Sequence, residues 1–241
     1  MAITELIKKI DEKFQPLYEK VKGGYFGVLS AIAGVISISI ASILFYSVEP
    51  FTFFTHWISN LGGIVTNSGE YPNGAFIVFS IGLFIIAILA IPFVVNLASK
   101  MLSDEQRFPW LVHLAVLAGI ATLIGIIGVA LFDMKGQLYL HTYSSMLFFI
   151  GAALMMFLFS LAMLFNSKIS WKQASVGLIT SGVSLVFLLT FIPHLGPSGD
   201  IISILAAAGE ELALTRFFEW MFLFSYFTWS IETGLFSLKF E

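Results

Sequence analysis

The chain has no cysteine. Disulfides, thiolate catalysis, cysteine-ligated zinc and iron–sulfur clusters are therefore excluded. Charge is also scarce: 11% of the 241 residues are Asp, Glu, Lys or Arg, under half the roughly 25% of a soluble domain. What fills the space is apolar, with 58% hydrophobic residues and a mean hydropathy of +0.94. A single water-soluble core does not bury so much apolar surface at this length. Soluble enzymes, nucleic-acid-binding modules and secreted scaffolds fall away together, and lipid remains as the burying medium.

Six stretches have the length of a membrane helix, about 18 or more apolar residues with few charges. They lie at 25–48, 73–98, 109–132, 140–165, 171–192 and 212–238. Alternating barrel-type strands are absent, and backbone groups facing lipid must pair within their own segment. The expected fold is all-α: a polytopic membrane protein with six transmembrane helices. Ser103 to Gln106 followed by Pro109 reads as a helix start, Ser170 to Gln173 as a capping box, and Pro193 with Gly196 and Pro197 as a stop. Pro92 is predicted to kink the second span.

With the N-terminus inside, ten lysines and arginines fall on the inner side and only Lys135 and Arg216 on the outer. The positive-inside rule then predicts both termini cytoplasmic, in a cell membrane. Residues 1–22 carry five lysines and no small-residue cleavage site, so they are not read as a cleaved signal peptide. Ile3, Leu6, Ile7, Ile10, Phe14, Leu17 and Val21 recur at helical spacing, which predicts an amphipathic helix on the cytoplasmic membrane surface, bent or broken at Pro16. Residues 23–241 form the transmembrane domain. Small residues such as Ser30 and Gly34, Ala121 and Gly125, and Gly177 and Ser181 predict close helix packing within the chain. Outer loops at about 49–72 and 193–211 are too long to be plain connectors. The apolar stretch 200–208 is too short to span and is expected to cap the outer face.

Ionisable groups at the edge of a membrane are costly and mark candidate sites. His56, His141 and His194 fall on the outer side with Glu49, Asp133, Arg216 and Glu219. The candidate ligand-binding residues are His56, Asn60, Asp133, His141, Arg216 and Glu219, converging on an outward-facing polar cavity. Arg216 and Glu219, three apart, are expected to pair, or Arg216 to hold an anionic head group. His141 and Ser145 share a helix face, the arrangement of a base and a nucleophile. The three histidines with Asp133 or Glu219 are residue types of a zinc site, but none shows tight metal-motif spacing. No cofactor is expected, with zinc as the alternative. The leading reading is a membrane protein whose outer cavity binds a lipid head group or a partner subunit. A membrane-embedded lipid hydrolase or metal-dependent enzyme at the outer leaflet is second, and a transporter third. The expected partners are membrane lipids and a protein partner or second copy, not nucleic acid.

Several short elements fall in a familiar order. Ser59-Asn60-Leu61-Gly62 after the first span resembles the Ser-x-Leu-Gly element of the domain-of-unknown-function 998 family. Asn73, Phe76 and Gly82 resemble its positions at the second span. The run Gly125 to Phe132, followed by His141, resembles its Gly-x-Phe-Pro and His element, and Arg216 and Trp229 its closing pair. That family is similar in turn to the damage-regulated autophagy modulator (DRAM) proteins. The resemblance implies six helices and a structured outer loop, and no established activity. This chain has Asp133 where the family usually has Pro, and Thr215 where a Glu usually precedes the Arg.

Overall fold

The computed structural model describes residues 2–102, 106–190 and 212–240. Among these there are seven α-helices and no strand, only an isolated bridge between Gln106 and Asn166. The helices are α1 (Ala2–Tyr18), α2 (Gly23–Tyr46), α3 (Ala75–Met101), α4 (Pro109–Leu131), α5 (Leu138–Leu164), α6 (Trp171–Leu189) and α7 (Ala213–Ser237). Five of them, α2 to α6, are long and apolar enough to cross a membrane. The chain is thus all-helical and multi-pass. The sixth expected span, α7, is a helix of 25 residues. It carries Arg216, Glu219 and Glu232 among several Trp, Tyr, Ser and Thr, and that composition keeps it out of the apolar set.

Each of α2 to α6 packs on the next helix in the chain, and α7 packs on both α6 and α2. The result is a closed ring of six antiparallel helices. One end carries the 47–74 loop. The other carries α1, Lys100, Lys168 and the C-terminal turn.

The outward faces are as apolar as the interior, as a lipid solvent requires: Ile43 is 71% exposed and Ile179 67%. Interior hydroxyls satisfy themselves on their own helix, as Thr122 does on the Ala118 carbonyl at 2.8 Å and Ser160 on Met156 at 2.7 Å. Small residues set the tightest crossings. A Cβ on Gly125 would run into the Phe148 backbone, and one on Gly151 into Thr122. Gly34 and Gly177 likewise sit against Phe227 and Ser160 of neighbouring helices.

Helix α1 lies across the end of α3. Ile7 is buried, Tyr18 donates to the Pro92 carbonyl at 2.9 Å, and Thr4 meets His113 Nε2 at 2.9 Å. Ile3 and Leu6 stay exposed. Pro16 does not break the helix. It sits in the last turn, so the chain continues helical only to Tyr18. Helix α3 likewise runs through Pro92 to Met101. The capping box at Ser170 is not formed: the Ser170 side chain makes no cap bond, and the Gln173 amide donates instead to the Ser170 carbonyl at 3.0 Å. Residues 103–105 of the predicted helix start lie outside the described residues, as do the stop at Pro193 and Gly196, the stretch 200–208 and His194.

Candidate functional site

The 47–74 loop folds back onto its end of the ring. Glu49 is its internal anchor. One carboxylate oxygen meets His56 Nε2 at 2.8 Å, and the other accepts the Ser68 backbone and hydroxyl at 2.9 Å each. His56 Nδ1 meets Thr55 Oγ1 at 2.7 Å, so both ring nitrogens are engaged. The His56 ring is packed edge-on against Phe45 and tilted against Phe51. The loop closes through Asn73 and Gly74, both at positive φ, with Asn73 donating to Ser47 Oγ at 3.0 Å.

Three residues of α7, one turn apart, grip this loop from inside the ring. Glu219 accepts the Ile58 amide at 2.7 Å, Arg216 donates to the Phe54 carbonyl at 3.3 Å, and Trp220 donates to the His56 carbonyl at 3.3 Å. The Arg216 guanidinium also lies 5.5 Å from the Trp57 ring centre. All three α7 residues are buried. Arg216 and Glu219 form no ion pair with each other; each hydrogen-bonds the loop backbone instead. From the α4–α5 turn, Asp133 accepts the Ile64 amide at 3.1 Å and caps the amides of Lys135 and Gly136. Lys135 donates to the Thr66 carbonyl.

Beneath Trp57 lies a chamber of about 40 Å³ lined by Ser59, His141, Thr142, Ser145 and Glu219, with Met134 and Phe187 among its apolar walls. A space of that size takes about three waters. His141 Nδ1 is 2.8 Å from the Phe132 carbonyl. A carbonyl only accepts, so Nδ1 carries a proton and donates it to Phe132. Nε2 and Thr142 Oγ1 are buried without a partner among the described residues. The His141 ring, the Glu219 carboxyl and the hydroxyls of Ser59, Thr142 and Ser145 thus line one space with room for a few waters. The chemistry available there is proton exchange with water.

A second, larger space opens on the flank of the ring. It is a groove of about 450 Å³ between α2 and α7. Ser39, Ser42 and Tyr46 line it on one side, Trp220 and Phe224 on the other, and Phe51 and Phe53 of the loop roof it.

Of the six candidate residues, only His141 and Glu219 line the chamber. His56, Asn60, Asp133 and Arg216 hold the loop itself. Asn60 is buried in the 3-10 turn Ile58–Gly62, its amide 3.6 Å from Met134 Sδ. No three His, Asp or Glu among the described residues are placed to hold a metal ion. Thr142, Trp220 and the groove serines were not singled out by the sequence. Trp220 had a usable signal, since it stands one turn from Arg216 on the same helix face. The chain matches no protein-family model, no curated protein and no solved structure.

Proposed function

We propose that this chain is a six-span membrane protein, both termini cytoplasmic, that binds a membrane lipid at its outer, loop-bearing end. The observation that carries the reading is the flank groove. Its walls are apolar and aromatic, it lies between two helices in the hydrocarbon, and it ends under an aromatic roof where hydroxyls of Ser39, Ser42 and Tyr46 gather. An acyl chain fits the groove and a head group the roof level, where aromatic and hydroxyl side chains are favoured. The chamber under Trp57 is too small for a head group and is a water site. Kinship with the domain-of-unknown-function 998 family belongs to the same proposal and supports the sixth span.

The test is native mass spectrometry of the detergent-extracted protein. The wild type is expected to retain one lipid, and Ser42→Trp, which fills the groove, to lose it while folding normally. Equal retention in both overturns the reading, and so does a retained second polypeptide with no lipid, which moves the site to a partner subunit. A second reading, a lipid hydrolase, is favoured by His141 Nε2 and Glu219 sharing one chamber. Fatty-acid release from vesicles by the wild type but not by His141→Asn would put it first.

A further inference from the structure

The groove between α2 and α7 can hydrogen-bond a ligand from one wall only. On the α7 wall the Trp220 indole N–H already donates to the His56 carbonyl at 3.3 Å, and Phe224 and Phe227 present rings. The polar groups that remain are the hydroxyls of Ser39, Ser42 and Tyr46, on one face of α2. No Asp, Glu, Lys, Arg or His lines the space. We propose that the groove takes an uncharged lipid of the diacylglycerol class, its hydroxyl and ester groups on these three side chains and one acyl chain against Val35, Ile38 and Phe227. The inference rests on the lipid reading above and adds a chemical class to it.

Three features carry this. The first is the state of the two serines. A hydroxyl in a membrane helix ordinarily bonds a carbonyl one turn back. Ser37 does so on Ala33, Ser184 on Thr180 at 2.9 Å, and Thr228 on Phe224 at 2.8 Å. Ser39 and Ser42 make no hydrogen bond among the described residues. An unpaired polar group in hydrocarbon is costly, so the pair fits a ligand that brings oxygen atoms. The second feature is charge. Phosphate is held by cationic side chains or backbone N–H groups, and Arg216 is buried outside the lining. Hydroxyls instead donate to ester carbonyls and accept from a lipid hydroxyl. The third is depth. The lining follows α2 from Val35 to Tyr46, about 16 Å at about 1.5 Å per residue. That is about half of a 30 Å hydrocarbon core, the reach of one acyl chain in one leaflet. Phe51 and Phe53 pack on Trp220 with ring centres 5.6 and 4.8 Å away. The roof is thus tied to the α7 wall, and a small head passes beneath it where a bulky one would displace it.

The experiment uses the full chain in detergent, stripped of lipid, with dioleoylglycerol, dioleoyl phosphatidylglycerol or dioleoyl phosphatidylcholine added. Native mass spectrometry reads retention and the melting temperature reads the fold. The wild type is expected to retain dioleoylglycerol about tenfold or more over either phospholipid. Ser39→Ala with Ser42→Ala should weaken that retention about fivefold or more. The lipid-free melting temperature should not change, since neither hydroxyl bonds the protein. A phospholipid retained as well as dioleoylglycerol, and lost in Ser42→Trp, overturns the class and leaves the lipid groove standing. Dioleoylglycerol retained equally by the double variant overturns the role of the hydroxyls. No lipid retained by the wild type, or equal retention in Ser42→Trp, overturns the lipid reading as well.

Discussion

Burial alone would raise the Glu49 carboxyl, but hydrogen bonds from His56 and from the backbone and hydroxyl of Ser68 outweigh it and hold it at about 2, against an ordinary 4.5. A carboxylate depressed by folding stabilises the fold fully above its unfolded pKa and loses that contribution as pH falls through its folded one. The window is therefore pH 4.5 down to about 2. The contribution is on the order of 2 kcal/mol once residual exposure is discounted. Thermal melts followed by tryptophan fluorescence should show Glu49→Gln destabilised at pH 7 and flatter than the wild type across that window. Equal acid sensitivity in the two proteins would assign the anchor to another group. His56 was legible in the sequence because an ionisable ring beside an apolar span demands a reason. Its partner was not, since six irregular residues separate the two and no periodicity links them.

At the scale of the element, α7 does two jobs with one face. It closes the ring and it holds the loop, so its polar residues are structural where a lipid-facing helix would exclude them. Glu219→Ala leaves the Ile58 amide buried without an acceptor, which costs about 1–3 kcal/mol. Chymotrypsin cleavage at Phe53, Phe54 or Trp57 should then accelerate about tenfold or more. Glu219→Gln keeps a carbonyl acceptor and should fall between. Cleavage as slow in Glu219→Ala as in the wild type would mean that the loop is held elsewhere. The α4–α5 crossing offers a cleaner contrast. Gly125→Ala drives a methyl into the Phe148 backbone and should lower stability by about 1–3 kcal/mol, whereas Gly182 has open space and Gly182→Ala should be neutral. The pairing of small residues was legible because close approach needs them. The failed capping box was not, because Ser170 satisfies the sequence pattern without turning its hydroxyl inward.

For the whole molecule, helix extents followed from hydrocarbon length and came through to within a turn, while the docked loop depends on contacts such as Ile58 to Glu219 that no local pattern encodes. The number of crossings turns on α7. By composition it is the least apolar of the long helices, yet its geometry is that of a span. Its 25 residues reach about 37 Å at 1.5 Å each, against a hydrocarbon core of about 30 Å. It also touches both ends of the ring. Glu219 meets the loop at one end, and Gly234 faces Gly24 while Ser237 meets Lys100 at the other. On the six-span reading proposed above, a helix anchored at both ends of a bundle of membrane-length helices crosses with them. The absence of native cysteine makes this directly measurable. Asn67→Cys, Lys9→Cys and Lys239→Cys introduce single thiols at exposed positions, to be labelled on intact cells with an impermeant maleimide. Six spans with a cytoplasmic N-terminus predict labelling at position 67 alone. Were only α2 to α6 to cross, position 239 would emerge on the outer side and label with 67, and labelling at position 9 would invert the orientation drawn from the lysines.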